Sequence, residues 1–227
     1  DLITGNRQAA VERLSDAQGD DSAFPAADLR LVCEGPAEGP EFVAVLEAIP
    51  DDLPPDLSGT QRDLVMLILA TGLRISAAAG LRWTEVDLSA GPLTVPAERM
   101  KGKRDHSLPL GPMILKRLKA RKADPRCAEF VFPGASGDKP LERLSARFMA
   151  RLKDSSGAPF VWSPHDLRRT VLTMLEAMDV SAFALKRIAA HSEKGDVTAG
   201  YLADDVERLR GPIERLERAV LGGKGGV

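Results

Sequence analysis

The chain has 227 residues, enough for one large domain or two small ones, and its 44% hydrophobic content is sufficient for a buried core. A formal net charge of −2 argues, on average, against a nucleic-acid binder, and no apolar run reaches the ~18 residues needed to cross a bilayer. No basic-then-apolar leader opens the sequence, and Cys33 and Cys127 form no CxxC pair, so neither a disulfide framework nor a cysteine zinc site is expected, and two reduced thiols in a cytoplasmic setting are.

The average charge hides an uneven distribution. Residues 1–60 carry ten more acids than bases, whereas residues 99–126 carry eight more bases than acids. A concentrated basic segment is the footprint of phosphate binding, although a solvated lysine-rich helix face has the same composition.

Along the chain, residues 1–57 are acidic and rich in Pro, Gly and Asp ("EGPAEGPEF", "IPDDLPPDLSG") and read as linker around one short helix, "EFVAVLEAI". From Ser58 the pattern changes. "SGTQRDLVMLILATG" predicts a buried helix ending at Gly72, and "LRISAAAGLRW" a second, short one. "LTVP" and "HSLPL" predict two short strands joined by the basic hairpin "AERMKGKRD". "PMILKRLKARK" predicts an amphipathic helix with Met113, Leu115 and Leu118 on one side. "EFVFPG" suggests a short extended piece. The spacing of Leu141, Leu144, Phe148 and Leu152 predicts a helix over "PLERLSARFMARLK". "SPHDLRRTVLTMLEAM", "SAFALKRIAAH" and "DVTAGYLADD" predict three more helices. A last amphipathic helix, with Ile213, Leu216 and Val220 on its apolar edge, is expected behind a break at Gly211-Pro212, before the flexible tail "GGKGGV". No internal repeat is visible. The expected fold class is α+β, mainly α: a helical domain with a small antiparallel β-sheet.

Several short phrases carry candidate chemistry. In "SPHDLRRT", Ser163 fits an N-cap and Pro164 the first helical position, so His165 and Arg168 share a face in a first turn whose free N–H groups favour an anion. Arg74 follows the Thr71-Gly72 break of an apolar helix, where it either projects into a cleft or lies along the surface. Lys101 and Lys103 sit at or near the hairpin turn. "IAAHSEKGDVTAGYL" supplies His191 and Tyr201, the single tyrosine of the chain. A metal site built from His106, His165 and His191 is disfavoured, because no two of them have helical ligand spacing.

The order of these pieces ("TGLRIS", "LRWTEVDL", "HSLPL", "VFPG", "HDLRRT", "VTAGYL") closely resembles the catalytic domain of the tyrosine recombinases, the phage-integrase family, across residues 41–205. The resemblance implies that Arg74 and Arg168 clamp a phosphate and that Lys101 is the hairpin lysine, with Lys103 as the alternative. It implies that His165 and His191 assist and that Tyr201 is the nucleophile. Lys103, Arg104 and Arg169 are the further residues expected to contact DNA.

The implied activity is site-specific cleavage and rejoining of double-stranded DNA through a covalent 3′-phosphotyrosyl intermediate, with no cofactor, metal or ATP. The implied assembly is a homo-tetramer on DNA, formed through the C-terminal segment. The alternative is a DNA-binding or assembly module on the same fold without catalysis. The implied organisation is an acidic N-terminal segment (1–57), a DNA breaking-rejoining domain (58–205), and a C-terminal helix with tail (206–227). Residues 1–57 are too short and acidic for the separate DNA-clamping domain that the family carries. Two positions depart from the family pattern: Ala77 stands where a carboxylate is usual, three residues after Arg74, and Ala190 where glycine usually precedes the histidine.

Overall fold

The structure, a computed structural model, describes residues 57–89, 91–149, 162–190 and 206–221. In chain order these form α1 (Leu57–Thr71), α2 (Ile75–Ala79), β1 (Pro92–Val95), β2 (His106–Pro109), α3 (Pro112–Lys122), α4 (Ala146–Met149), α5 (Pro164–Ala177), α6 (Ala182–Ile188) and α7 (Arg210–Leu221). Single 3-10 turns occupy Trp83–Glu85, Ala97–Arg99 and Val206–Leu209. The expected helices at "EFVAVLEAI" and "DVTAGYLADD" lie outside the described residues, as does the "GGKGGV" tail.

Helix α1 is the axis of the core. From Leu64 to Ala70 no residue is more than 4% exposed. A helix that is apolar on every side has to be surrounded, and α2, α3, α5 and α7 pack around it. It ends where the sequence predicts: Gly72 adopts φ +68, and its N–H donates to the Ile68 carbonyl at 2.7 Å. That left-handed conformation is open to glycine at little cost.

Strands β1 and β2 form the antiparallel pair expected, with Leu93 opposite Leu108 and Val95 opposite His106. Residues directly opposite one another share a face of the ladder. His106 therefore turns inward with Leu93, Val95 and Leu108, all four of them buried.

"EFVFPG" contributes the short extended piece expected, as isolated bridges from Arg82 to Phe130 and from Pro133 to Pro140. Two expectations are corrected. The helix expected from Pro140 is described only over Ala146–Met149. Leu141 instead donates its N–H to the Phe132 carbonyl, and Ser145 caps the helix through its hydroxyl to the Phe148 N–H. Leu141 and Leu144 are buried all the same. Finally, Gly211-Pro212 makes no break. The turn Val206–Leu209 runs straight into α7, and Pro212 falls in the first helical turn, where its missing N–H costs nothing. The apolar edge of α7 faces its own domain: Ile213, Leu216 and Val220 are fully buried.

Candidate phosphate-binding site

The centre of the site is Arg168, on α5. Its guanidinium donates through Nη1 to the Gly72 carbonyl at 2.5 Å and through Nη2 to the Ala189 carbonyl. It is only 4% exposed. One side chain thereby ties α5 to the end of α1 and to the residue that follows α6. The left-handed Gly72 turn that presents one of those carbonyls also leads, two residues on, to Arg74, the half-buried residue that precedes α2 in extended conformation. The two arginines singled out in the sequence are thus joined by a short piece of backbone.

Ser163 is the N-cap of α5, as expected, and it closes a capping box with Asp166. Ser163 Oγ accepts from the Asp166 N–H, and Asp166 Oδ2 accepts from the Ser163 N–H at 2.8 Å. Pro164 is the first helical residue. His165 is exposed on this turn, one turn before Arg168. Arg169 lies half-buried, with Nη1 3.9 Å from Asp166 Oδ1.

The hairpin turn is closed by the Lys103 N–H on the Met100 carbonyl at 3.0 Å, and Lys103 takes φ +52, unusual for a residue with a side chain. Lys101, Lys103 and Arg104 are all exposed. Much of the remaining basic segment has an internal role. Arg121 holds Asp63, Thr60 and the Val131 carbonyl, and Arg117 reaches the same Asp63. Arg126 pairs with Asp124, and Lys122 lies 4.7 Å from the centre of the Trp83 ring. The charge excess over residues 99–126 is therefore partly a set of structural clamps, and its outward part is concentrated at the hairpin and on Lys116 and Lys119.

Arg99, two residues before Lys101, braces the base of the hairpin against α2. It donates to the Ala77 carbonyl at 3.4 Å and pairs with Glu85. A Cβ on Gly80 would lie 2.6 Å from its Nη1, so a glycine there is what lets the guanidinium lie over the end of α2. At the position where the family usually carries a carboxylate, Ala77 thus offers its backbone oxygen, and the carboxylate partner in this region comes from Glu85.

Two further titratable groups lie beside Arg168 and Arg74 and were not among the site residues expected from the sequence: His106 and Arg187. His106 is 8% exposed. Its pKa is pushed down to about 4, first by burial and then by the positive charges of Arg168, Arg187 and Arg74, while a hydrogen bond with the Ile188 backbone opposes the shift. That field disfavours a metal cation at His106. The inward strand register of "HSLPL" is the sequence signal that could have placed it here. His191 and Tyr201 lie outside the described residues. Ala190, immediately before them, takes φ +48.

The mostly helical fold with a two-stranded antiparallel sheet is that of integrase and recombinase catalytic domains. The integrase of mycobacterium phage Brujita superposes with a TM-score of 0.57 at 21% identity, over 87% of this chain and 60% of that one. The Tn1549 transposon integrase, solved with a circular intermediate DNA, gives 0.53 at 17% identity, over 84% of this chain and 69% of that one.

The sequence profile of the phage integrase family matches residues 43–208, and the chain belongs to that family. It is 31% identical over 172 residues to prophage integrase IntA of Escherichia coli K12, covering 72% of this chain and 41% of the relative. It is 28% identical over 179 residues to tyrosine recombinase XerA of Pyrococcus furiosus, covering 74% and 59%. The chain therefore spans about two fifths to three fifths of the length of these relatives. Among the described residues no helix is long and apolar enough to cross a membrane.

Proposed function

We propose that this chain is the strand-cleaving domain of a site-specific DNA recombinase that works through a covalent phosphotyrosyl intermediate. The observation that carries the reading is the Arg168 clamp. It locks a buried guanidinium to the Gly72 carbonyl, two residues before Arg74, and this supports a reading in which the two arginines act on one phosphate. Double-stranded DNA as the partner is supported by the DNA-bound state of the Tn1549 integrase, and by the exposed Lys101, Lys103 and Arg104 at the hairpin.

The chemistry follows from the residue types. Attack on a phosphodiester builds negative charge on a five-coordinate phosphorus. Arg74 and Arg168 stabilise it through charge-assisted hydrogen bonds, in the role that metal ions fill in other phosphoryl-transfer enzymes. Tyr201 Oη bonds to phosphorus and its proton passes to His165. The bond to the 5′ oxygen breaks, and Lys101 protonates that oxygen as it leaves. His191 donates to a non-bridging oxygen. The phosphotyrosyl bond conserves the energy of the broken phosphodiester, so rejoining by the 5′-hydroxyl needs no ATP. Assembly as a tetramer on DNA belongs to the same proposal.

The test uses a pool of randomised duplexes carrying a nick near the centre, which lets the short leaving strand diffuse away and traps the adduct. The full chain should yield detergent-resistant protein–DNA adducts that sequence to a common site, and Tyr201→Phe should yield none while binding DNA as well as before. DNA binding without adduct in the unaltered chain would instead identify a non-catalytic DNA-binding module.

A further inference from the structure

Buried polar atoms in folded proteins nearly always have a hydrogen-bond partner, and one that has none calls for an explanation. His106 Nε2 is such an atom: it is buried and makes no hydrogen bond. Its surroundings are specific. Strand β2 directs the ring inward opposite Val95, and the ring hydrogen-bonds the Ile188 backbone. The next residue after Ile188, Ala189, gives its carbonyl to Arg168. The charges acting on the ring come from three separate elements: Arg168 on α5, Arg187 on α6, and Arg74 ahead of α2. The turn Val206–Leu209 also packs on β2, and its acid, Glu207, is engaged by Arg210. Among the described residues, no carboxylate is one of the main groups that act on the ring.

An imidazole enclosed by cations and without a counter-charge stays neutral, and its Nε2 stays unsatisfied. A bound anion corrects both. We propose that His106 is a further catalytic residue of this site: when a phosphate group docks between Arg74 and Arg168, His106 takes up a proton from solvent and donates Nε2–H to a non-bridging phosphate oxygen. The inference rests on the reading of the site given above and adds to it a third cationic contact, one that is charged only when the anion is present. This explains why a titratable group rather than another arginine stands at the inward end of β2. A permanent fourth charge would repel Arg74, Arg168 and Arg187 in the empty site, whereas a histidine carries its charge only when the phosphate offsets it.

Sulfate is a suitable probe, because it is tetrahedral and does not titrate near neutrality. In the full chain labelled with 15N-histidine, three imidazoles must be assigned. His106 should titrate far below the ordinary histidine range without sulfate and at least one pH unit higher at saturating sulfate. A pKa unmoved by saturating sulfate overturns the proposal.

Strand cleavage supplies the second readout. His106→Leu, which fills the space without a donor, should slow single-turnover adduct formation by about a hundredfold, the scale of one lost oxyanion donor, with DNA affinity unchanged. His106→Gln, which can donate without titrating, should recover part of the rate and lose the pH dependence. Cleavage by His106→Leu at the original rate would refute the role even if the variant folds less well. The two readings fail separately. If sulfate shifts His106 but the unaltered chain never forms an adduct, the recombinase reading falls and the anion contact stands. If adducts form normally in His106→Leu, the reverse holds.

Discussion

Ala190 is one of three non-glycine residues at positive φ among the described residues, with Lys103 and Asp179. At φ +48 it occupies the left-handed region that alanine enters only at a cost of about 1–2 kcal/mol, and that glycine enters freely. It sits between the Ala189 carbonyl, which Arg168 grips, and the segment that carries His191 and Tyr201. The φ value gives a physical reason for the glycine that the family usually places here. Ala190→Gly should therefore stabilise the protein by about 1 kcal/mol, less whatever the more flexible glycine adds to the entropy of the unfolded chain. For a chain of this size that is a rise of ~2–4 °C in Tm, readable by thermal unfolding. An unchanged or lower Tm would mean that the left-handed turn carries no strain worth relieving.

At the scale of elements, the bracing of the hairpin against α2 by Arg99 leads to a kinetic prediction. Arg99→Leu removes the links to the Ala77 carbonyl and to Glu85 while leaving Lys101, Lys103 and Arg104 in place. Lys101 should then be less well aimed at the leaving oxygen, slowing strand cleavage by on the order of tenfold to a hundredfold with little change in DNA binding. Replacing the leaving 5′ oxygen by sulfur, whose thiolate needs no proton to depart, should restore the rate. A sulfur substrate cleaved as slowly as the oxygen one would place the damage somewhere other than the lysine.

This brace also illustrates what the sequence leaves unread. The elements that depend on local pattern were legible: the apolar run of α1, the Gly72 stop, the N-cap at Ser163, and the two strands about a basic hairpin. The leucine spacing after Pro140 misled: Pro140 pairs with Pro133 and the Leu141 N–H with the Phe132 carbonyl, so Leu141 and Leu144 are buried without standing on a helix. The basic segment was legible as a charge excess but not as clamps, because its partners Asp63 and Glu85 arrive from other elements. Of the proposed site, Arg74, His165 and Arg168 come from phrases and His106 could have come from the strand register of "HSLPL", whereas Arg187 stands out only once α6 is packed beside β2.

For the whole molecule, α7 decides how assembly has to be tested. Beyond its buried apolar edge it carries Glu217, which is fully buried and accepts from the Met113 and Ile114 N–H groups at 3.1 and 2.8 Å. A carboxylate on the free N–H groups at the start of α3 is favourable, although burial pushes the Glu217 pKa up against the pull of those two bonds. A Cβ on Gly111 would fall 2.3 Å from the carboxylate, so that glycine keeps the approach open. Helix α7 is thus part of the core around α1, and docking it on a neighbouring protomer would open that core. Removing residues 211–227 would strip out Ile213, Leu216, Val220 and Leu221 together with the Glu217 link. At 2–5 kcal/mol for each large apolar side chain lost from a core, four of them amount to about 8–20 kcal/mol, as large as the whole ~5–15 kcal/mol stability of a typical domain. That truncation should therefore abolish cooperative unfolding, and any loss of DNA-bound assembly in it would report unfolding alone. Removing only residues 222–227 leaves α7 whole and should leave Tm unchanged. If the C-terminal tail joins protomers on DNA, this shorter truncation should lower the mass of the DNA-bound complex in sedimentation while the free protein sediments as before. A complex of unchanged mass would exclude the tail as the connector and leave the contact to the folded surface.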